Sequence, residues 1–203
     1  VVGMHGDDNG LIFPPRIAPL QVVLMPVAAH KSTDVGPAVE QAAEELRNSG
    51  YRVKIDDRDL RPGQKFWDWE IKGVPLRLEI GPRDVENGNA FAARRTGGKE
   101  PIPLTNIVEG VRNQLNIVHE ELTNRSHAHV DDCVIKLESL EQEIVDGCIY
   151  EVAFDGTDAD AEILEKATGL AILGDAMTAY EDDQLCIVTG NHTKRKQHLA
   201  RMY

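Results

Sequence analysis

The chain of 203 residues has no apolar run long enough to cross a membrane. The longest, Leu20 to Ala29, is strand-sized and contains Pro26. The N-terminus carries His5, Asp7 and Asp8 where a secretory signal would be apolar. Cysteine is scarce: Cys133, Cys148 and Cys186 form an odd, scattered set, which argues against a disulfide framework and suits a reducing compartment. These absences predict a cytoplasmic protein with no membrane partner. No Gly-rich phosphate loop follows the apolar run, and the scattered acids and histidines form no metal or nucleophile spacing. Both points count against a catalytic α/β domain acting on small molecules. No internal repeat or low-complexity tract is present.

Positive charge is also in deficit. A net charge of −12 is a poor start for a nucleic-acid binder, but the distribution changes that reading. Between Tyr51 and Lys99 there are eleven basic residues against eight acidic ones. From Glu120 to Gln184 only Arg125, Lys136 and Lys166 stand against eighteen acids. The acidity is concentrated in the last third, and the middle remains able to meet phosphates.

The remaining pattern predicts two small α/β modules. Residues 1–19, with Pro14, Pro15 and Pro19, read as a stiff connector. Leu20 to Val27 is a strand buried on both faces. Asp34, Pro37 and the stripe Val39, Ala42, Ala43, Leu46 predict a helix ending at Gly50, and Tyr51, Val53 and Ile55 predict a second, parallel strand. Residues 60–73 read as a helix stopped by Gly73. Val74 to Ile80 reads as a strand with Arg77 and Glu79 on its polar face, followed by a Gly81-Pro82 turn and a short strand at Ala90 to Arg94. A helix is expected from Leu104 to Arg125. The second module is weaker in signal: a helical stripe over Val134 to Val145, a strand over Cys148 to Phe154, a helix over Asp160 to Thr168, and strands at Leu170 to Leu173 and Leu185 to Val188. The divisions are 1–19 connector, 20–127 first domain and 128–203 second domain.

Three stretches carry a family resemblance across the whole chain. His5-Gly6-Asp7-Asp8-Asn9-Gly10-Leu11-Ile12-Phe13-Pro14-Pro15-Arg16 and the residues to Gln21 resemble the segment that leaves the class II catalytic domain of prolyl-tRNA synthetases after its third motif. Lys65 to Asp84, containing Phe66-Trp67-Asp68-Trp69-Glu70 and Pro75-Leu76-Arg77-Leu78-Glu79-Ile80-Gly81-Pro82-Arg83, is similar to that family's anticodon-domain signature. Phe154-Asp155-Gly156, Cys186-Ile187-Val188-Thr189-Gly190 and a terminal Tyr203 resemble its C-terminal domain.

The resemblance implies the archaeal and eukaryotic type of the enzyme, with an α/β anticodon-binding domain (a mixed sheet flanked by helices) followed by a small α+β domain. It implies a parent enzyme that ligates proline to tRNA(Pro) with ATP and magnesium, dimerises through its catalytic domain, and does not act on DNA. These residues lack the class II core motifs, so the segment alone is expected to hold no catalytic residue and no cofactor. The start at Val1, without an initiator Met, favours a fragment over an independent accessory module that binds tRNA or a synthetase.

The signature also has chemistry of its own. Guanine offers acceptors at O6 and N7 and donors at N1 and N2; arginine matches the first pair and a carboxylate the second. Glu70 and Arg77 supply these groups. In the family, an acid and an arginine at these positions, with a base at the position of Lys99, meet the anticodon guanines. Arg83 is either a fourth contact or an ion-pair partner of Asp84 or Glu86. Phe66, Trp67 and Trp69 can stack on bases or fill the core, the commoner use. Many family members bind structural zinc through four cysteines in the C-terminal domain. The corresponding residues here are Asp155, Asp160, Cys186 and Thr189, with His192 as a possible substitute. One thiolate among oxygens is a poor zinc set, so zinc is not expected. Cys133 and Cys148 read as small buried residues.

Overall fold

The computed structural model describes residues 2–202 and divides into two compact units, Val1–Ser126 and His127–Tyr203. Tyr203, part of the C-terminal resemblance, lies outside the described residues.

The first unit starts with a short helix α1 (Val2–His5), followed by β1 (Val22–Pro26), α2 (Val35–Asn48), β2 (Val53–Ile55) and α3 (Pro62–Ile71). It continues with β3 (Leu76–Ile80), α4 (Pro82–Glu86), β4 (Asn89–Arg94), β5 (Lys99–Pro103) and the long α5 (Ile107–Cys133), whose last residues belong to the second unit. The sheet order is β2-β1-β3-β4-β5; β1 pairs in parallel with β2 and β3, while β3-β4-β5 is antiparallel. β1 is buried on both faces, which explains its unbroken apolar sequence. Its two faces meet different helices. Val22 and Leu24 join Leu76, Leu78 and Ile80 of β3 against Val39, Ala43 and Leu46 of α2 and Ile107 and Val111 of α5. Val23 and Met25 pack instead with Trp69 of α3 and Val74. Leu24 is fully buried in the larger cluster, so Leu24→Ala would cost about 2–5 kcal/mol.

Asp34 takes the N-cap position of α2 but makes no side-chain capping bond, and Pro37 lies in the first turn as expected. β5, absent from the sequence reading, is an edge strand carrying Pro101 and Pro103. An edge tolerates the missing N–H groups that a central position would not. α4 occupies what reads as a simple turn, and Asp84 accepts the Gly81 N–H at its start (2.7 Å).

The connector is docked onto this unit. Leu11 N–H donates to Ile71 O (3.1 Å) and Phe13 N–H to Gly73 O (3.0 Å). Ile12 is buried with Val118 and Leu122. The approach is tight enough to require glycine: a Cβ on Gly10 (φ +123°) would lie 2.6 Å from Ile71 Cα, and one on Gly73 (φ +70°) 2.7 Å from the Leu11 backbone.

The second unit contains β6 (Val134–Lys136), β7 (Ile149–Ala153), α6 (Asp158–Thr168), β8 (Ala171–Asp175), β9 (Gln184–Leu185), β10 (His192–Thr193) and β11 (Lys196–Ala200). β6-β7-β11-β8 form one sheet and β9-β10 a separate hairpin pair. The helix expected over Val134 to Val145 is not formed. Val134–Lys136 pairs in parallel with Ile149–Glu151, and Leu137, Leu140 and Ile144 reach the core from irregular backbone. Their spacing imitates a helical stripe. Tyr150 is buried at the centre and its hydroxyl accepts the Val145 N–H (2.7 Å). α6 begins two residues earlier than expected, because Thr157 and Asp160 form a capping box.

Candidate functional site

The sheet register creates the site. Arg77 stands opposite Val23 on one side and Ala93 on the other, and Ala93 stands opposite Lys99. Glu79 stands opposite Met25 and Phe91. Because side chains alternate along strands, Arg77, Glu79, Phe91 and Lys99 share one face of β3-β4-β5. This is also the face on which α3 packs, and α3 contributes Phe66 and Glu70.

On that face, Glu70, Arg77, Glu79 and Lys99 form one continuous chain of charge-assisted hydrogen bonds. Arg77 Nη1 donates to Glu70 Oε1 (3.1 Å) and Arg77 Nε to Glu79 Oε1 (3.1 Å). Lys99 Nζ donates to Glu79 Oε2 (2.6 Å). The Arg77 guanidinium lies 4.1 Å from the centre of the Phe66 ring, and Lys99 Nζ lies 5.3 Å from that of Phe91. Arg77 and Glu79 are largely buried, while Glu70 and Lys99 are 39% and 48% exposed. The arginine is thus fixed by three neighbours, yet two of its five N–H groups account for its bonds here. Glu70 retains its second oxygen. A donor fork and a carboxylate stand side by side, the arrangement that matches the acceptor-acceptor-donor-donor edge of guanine.

Of the four predicted contacts, the structure unites Glu70, Arg77 and Lys99. Arg83 is apart from them on α4, exposed, and forms no ion pair among the described residues, with Asp84 committed to the helix start. Glu79, the central residue, was visible only as part of a polar strand face; its role depends on the neighbouring strands. The three aromatics divide. Trp69 is core, Phe66 carries Arg77, and Trp67 is 49% exposed, contrary to a uniform core role.

Two ion groups, each with one buried partner, support α3. Asp56, just after β2, accepts from Arg58 Nε (2.8 Å) and Nη2 (2.7 Å) and from Trp69 Nε1 (2.7 Å). Arg58 above all, with Trp69, holds the Asp56 carboxyl well below the usual carboxylate range despite burial. At the other end, Arg95 grips Asp7 of the connector through two bonds (2.6 and 2.9 Å) and donates to Glu70 O (3.1 Å). The connector therefore helps to set the backbone that carries Glu70.

In the second unit the four zinc-equivalent residues have other tasks. Thr189 Oγ1 donates to Asp155 Oδ1 (3.3 Å), Asp160 accepts the Thr157 N–H and hydroxyl (both 2.8 Å), and Cys186 is buried in the core. His192 is exposed on β10. A single buried cysteine, with Asp160 engaged in capping and Asp155 accepting from Thr189, does not fit a structural zinc. No group of three or more metal-ligating side chains occurs among the described residues. No helix among them is long and apolar enough to cross a membrane.

Comparison with known proteins bears on the family. A family model described as "Anticodon binding domain" matches residues 21–114. The chain is 38% identical over 214 residues to a proline–tRNA ligase of Thermococcus kodakarensis, covering 100% of this chain and 44% of that protein. It is 38% identical over 209 residues to a proline–tRNA ligase of Methanosarcina mazei, covering 100% and 43%. The structure of Giardia lamblia prolyl-tRNA synthetase in complex with prolyl-adenylate matches with a TM-score of 0.86 at 27% identity, over 98% of this chain and 46% of that one. The chain spans less than half the length of these relatives. Residues 21–114 are thus similar to an anticodon-binding domain, within a chain similar over its whole length to part of a prolyl-tRNA synthetase.

Proposed function

We propose that the first unit reads the anticodon of a proline tRNA, as part of an enzyme that ligates proline to that tRNA with ATP and magnesium. The observation that carries this reading is the Glu70–Arg77–Glu79–Lys99 chain on one sheet face. Arg77 would meet guanine O6 and N7 and Glu70 would meet N1 and N2, while Lys99 attracts the backbone or a base and Arg83 supplies a fourth contact. Glu79 holds Arg77 and Lys99 in place. The parent enzyme is taken as cytoplasmic and homodimeric, with tRNA rather than DNA or membrane as its partner. ATP and magnesium belong to the rest of that enzyme; the 203 residues alone are proposed to be non-catalytic and zinc-free.

Binding is expected to be weak, because the chain carries a net charge of −12, which disfavours association with phosphate. The test is a titration of the protein with a proline anticodon stem-loop and with a copy whose anticodon guanines are replaced by adenines. A guanine preference of about tenfold or more supports the reading, and equal binding of the two loops contradicts it.

A further inference from the structure

A cavity of about 480 Å³ opens beyond the carboxyl ends of β1 and β2, beside α3. Its position follows from the topology. α2 links β1 to β2 across the face bearing Leu24 and Leu76, whereas α3 links β2 to β3 across the face bearing Val23 and Met25. The winding reverses at β1, and in open α/β sheets the crevice at such a reversal is where ligands bind. The volume falls in the range of ligand pockets, roughly 300–1,000 Å³.

We infer that this cavity takes one unstacked nucleobase of the same RNA loop, adjacent to the bases met by Glu70 and Arg77. The inference rests on the anticodon-reading proposal. Four features support it. Phe66 lines the cavity and also carries the Arg77 guanidinium, so the cavity and the charged chain share a wall. Met25, Leu60 and Phe66 supply apolar surface for a ring. Lys65 is 6% exposed; its ammonium donates to Asp56 O (3.0 Å), lies 4.0 Å from Asp56 Oδ1, and keeps a further N–H for a carbonyl in the cavity. Ala28, in the loop that closes one side, adopts a left-handed conformation (φ 50°, ψ 38°) that is costly for a residue other than glycine, and such strain concentrates at binding sites.

The charges at the rim select a base over a phosphate. Asp57 and Asp59 are exposed there, and Arg58 is committed to Asp56 and Asp68. Carboxylates repel a phosphate and accept from an exocyclic amino group. The occupant is therefore a base bearing both a carbonyl and an amino group, cytosine or guanine.

The experiment uses proline anticodon stem-loops made abasic at each loop position in turn, titrated against wild type and two variants. Leu60→Trp fills the cavity from a partly exposed position, and Lys65→Met removes the donor. For wild type, base removal at one cytosine or guanine outside the pair met by Glu70 and Arg77 should weaken binding about tenfold. Both variants should bind the intact loop about tenfold more weakly than wild type, be insensitive to that same abasic change, and keep their guanine-over-adenine preference. An abasic profile in Leu60→Trp identical to wild type, with guanine preference intact, overturns the cavity assignment and leaves anticodon reading standing. Loss of guanine preference in wild type itself overturns both.

Discussion

Replacing Glu79 with glutamine probes the centre of the charged chain. The change keeps the shape of the side chain but removes the negative charge between two cations. The Arg77–Glu79 contact is largely buried, with side-chain exposures of 15% and 10%, and a hydrogen bond to a charged group in such a place contributes about 1.5–3 kcal/mol. The Lys99–Glu79 contact is half-exposed on the lysine side and adds at most about 1 kcal/mol. Glutamine can still accept one bond, so the net destabilisation should be about 2 kcal/mol. For a unit of this size that corresponds to a fall in Tm of roughly 6–8 °C. Tryptophan fluorescence reads this unit alone, since Trp67 and Trp69 are the only tryptophans in the chain. Most of the difference should persist in high salt, which screens buried pairs poorly. A cycle with Arg77→Met should give a coupling of about 1–2 kcal/mol. A Tm shift below about 1 °C, or no coupling, would refute the claim that Glu79 anchors Arg77.

Other consequences are equally specific. Asp56 is held below its ordinary range in the folded state, so its contribution is complete above the unfolded value near 3.9 and disappears as pH falls toward the folded one. Asp56→Asn should thus be clearly less stable than wild type in urea at pH 7, with the gap narrowing from about pH 4.5 down to pH 3; a constant gap would contradict the assignment. Gly73→Ala combines a left-handed backbone with a Cβ 2.7 Å from Leu11, and should destabilise the first unit by at least about 2 kcal/mol and expose the connector to proteolysis; unchanged melting and cleavage would count against the docked connector. Dialysed protein should carry far less than one zinc per chain, and a chelator should leave its circular-dichroism melting curve in place. A retained stoichiometric zinc would show that Asp155, Asp160, Cys186 and Thr189 are arranged otherwise.

Much of the first unit was legible because its signals are local. The unbroken apolar run of β1 reflects burial on both faces, and the stripe of α2 matches one side of the sheet. β5 was not legible, since Pro101 and Pro103 argue against a strand unless its place at the sheet edge is known. That strand also delivers Lys99 to the row of Arg77. Glu70, Arg77 and Lys99 could be picked out by residue type and family resemblance, but Glu79 could not. A glutamate on the polar face of a strand looks solvated until the β3-β4-β5 register brings Lys99 into the row of Arg77, next to it. In the second unit, Leu137, Leu140 and Ile144 are spaced like a helix face, and only the non-local pairing of Val134–Lys136 with β7 shows otherwise.

The central claim is that Arg77 and Glu70 read guanine edges, and a protein–RNA cycle tests it most directly. Stem-loops bearing guanine or adenine in the anticodon are titrated at fixed salt against wild type, Arg77→Ala, Glu70→Ala and Lys99→Ala. Each directional pair contributes about 1–3 kcal/mol of discrimination, so Arg77→Ala and Glu70→Ala should flatten the guanine preference by about 5- to 150-fold. Lys99→Ala should weaken both loops alike and reduce the salt dependence. Undiminished guanine preference in both Arg77→Ala and Glu70→Ala would contradict the account and move the reading site elsewhere on the domain.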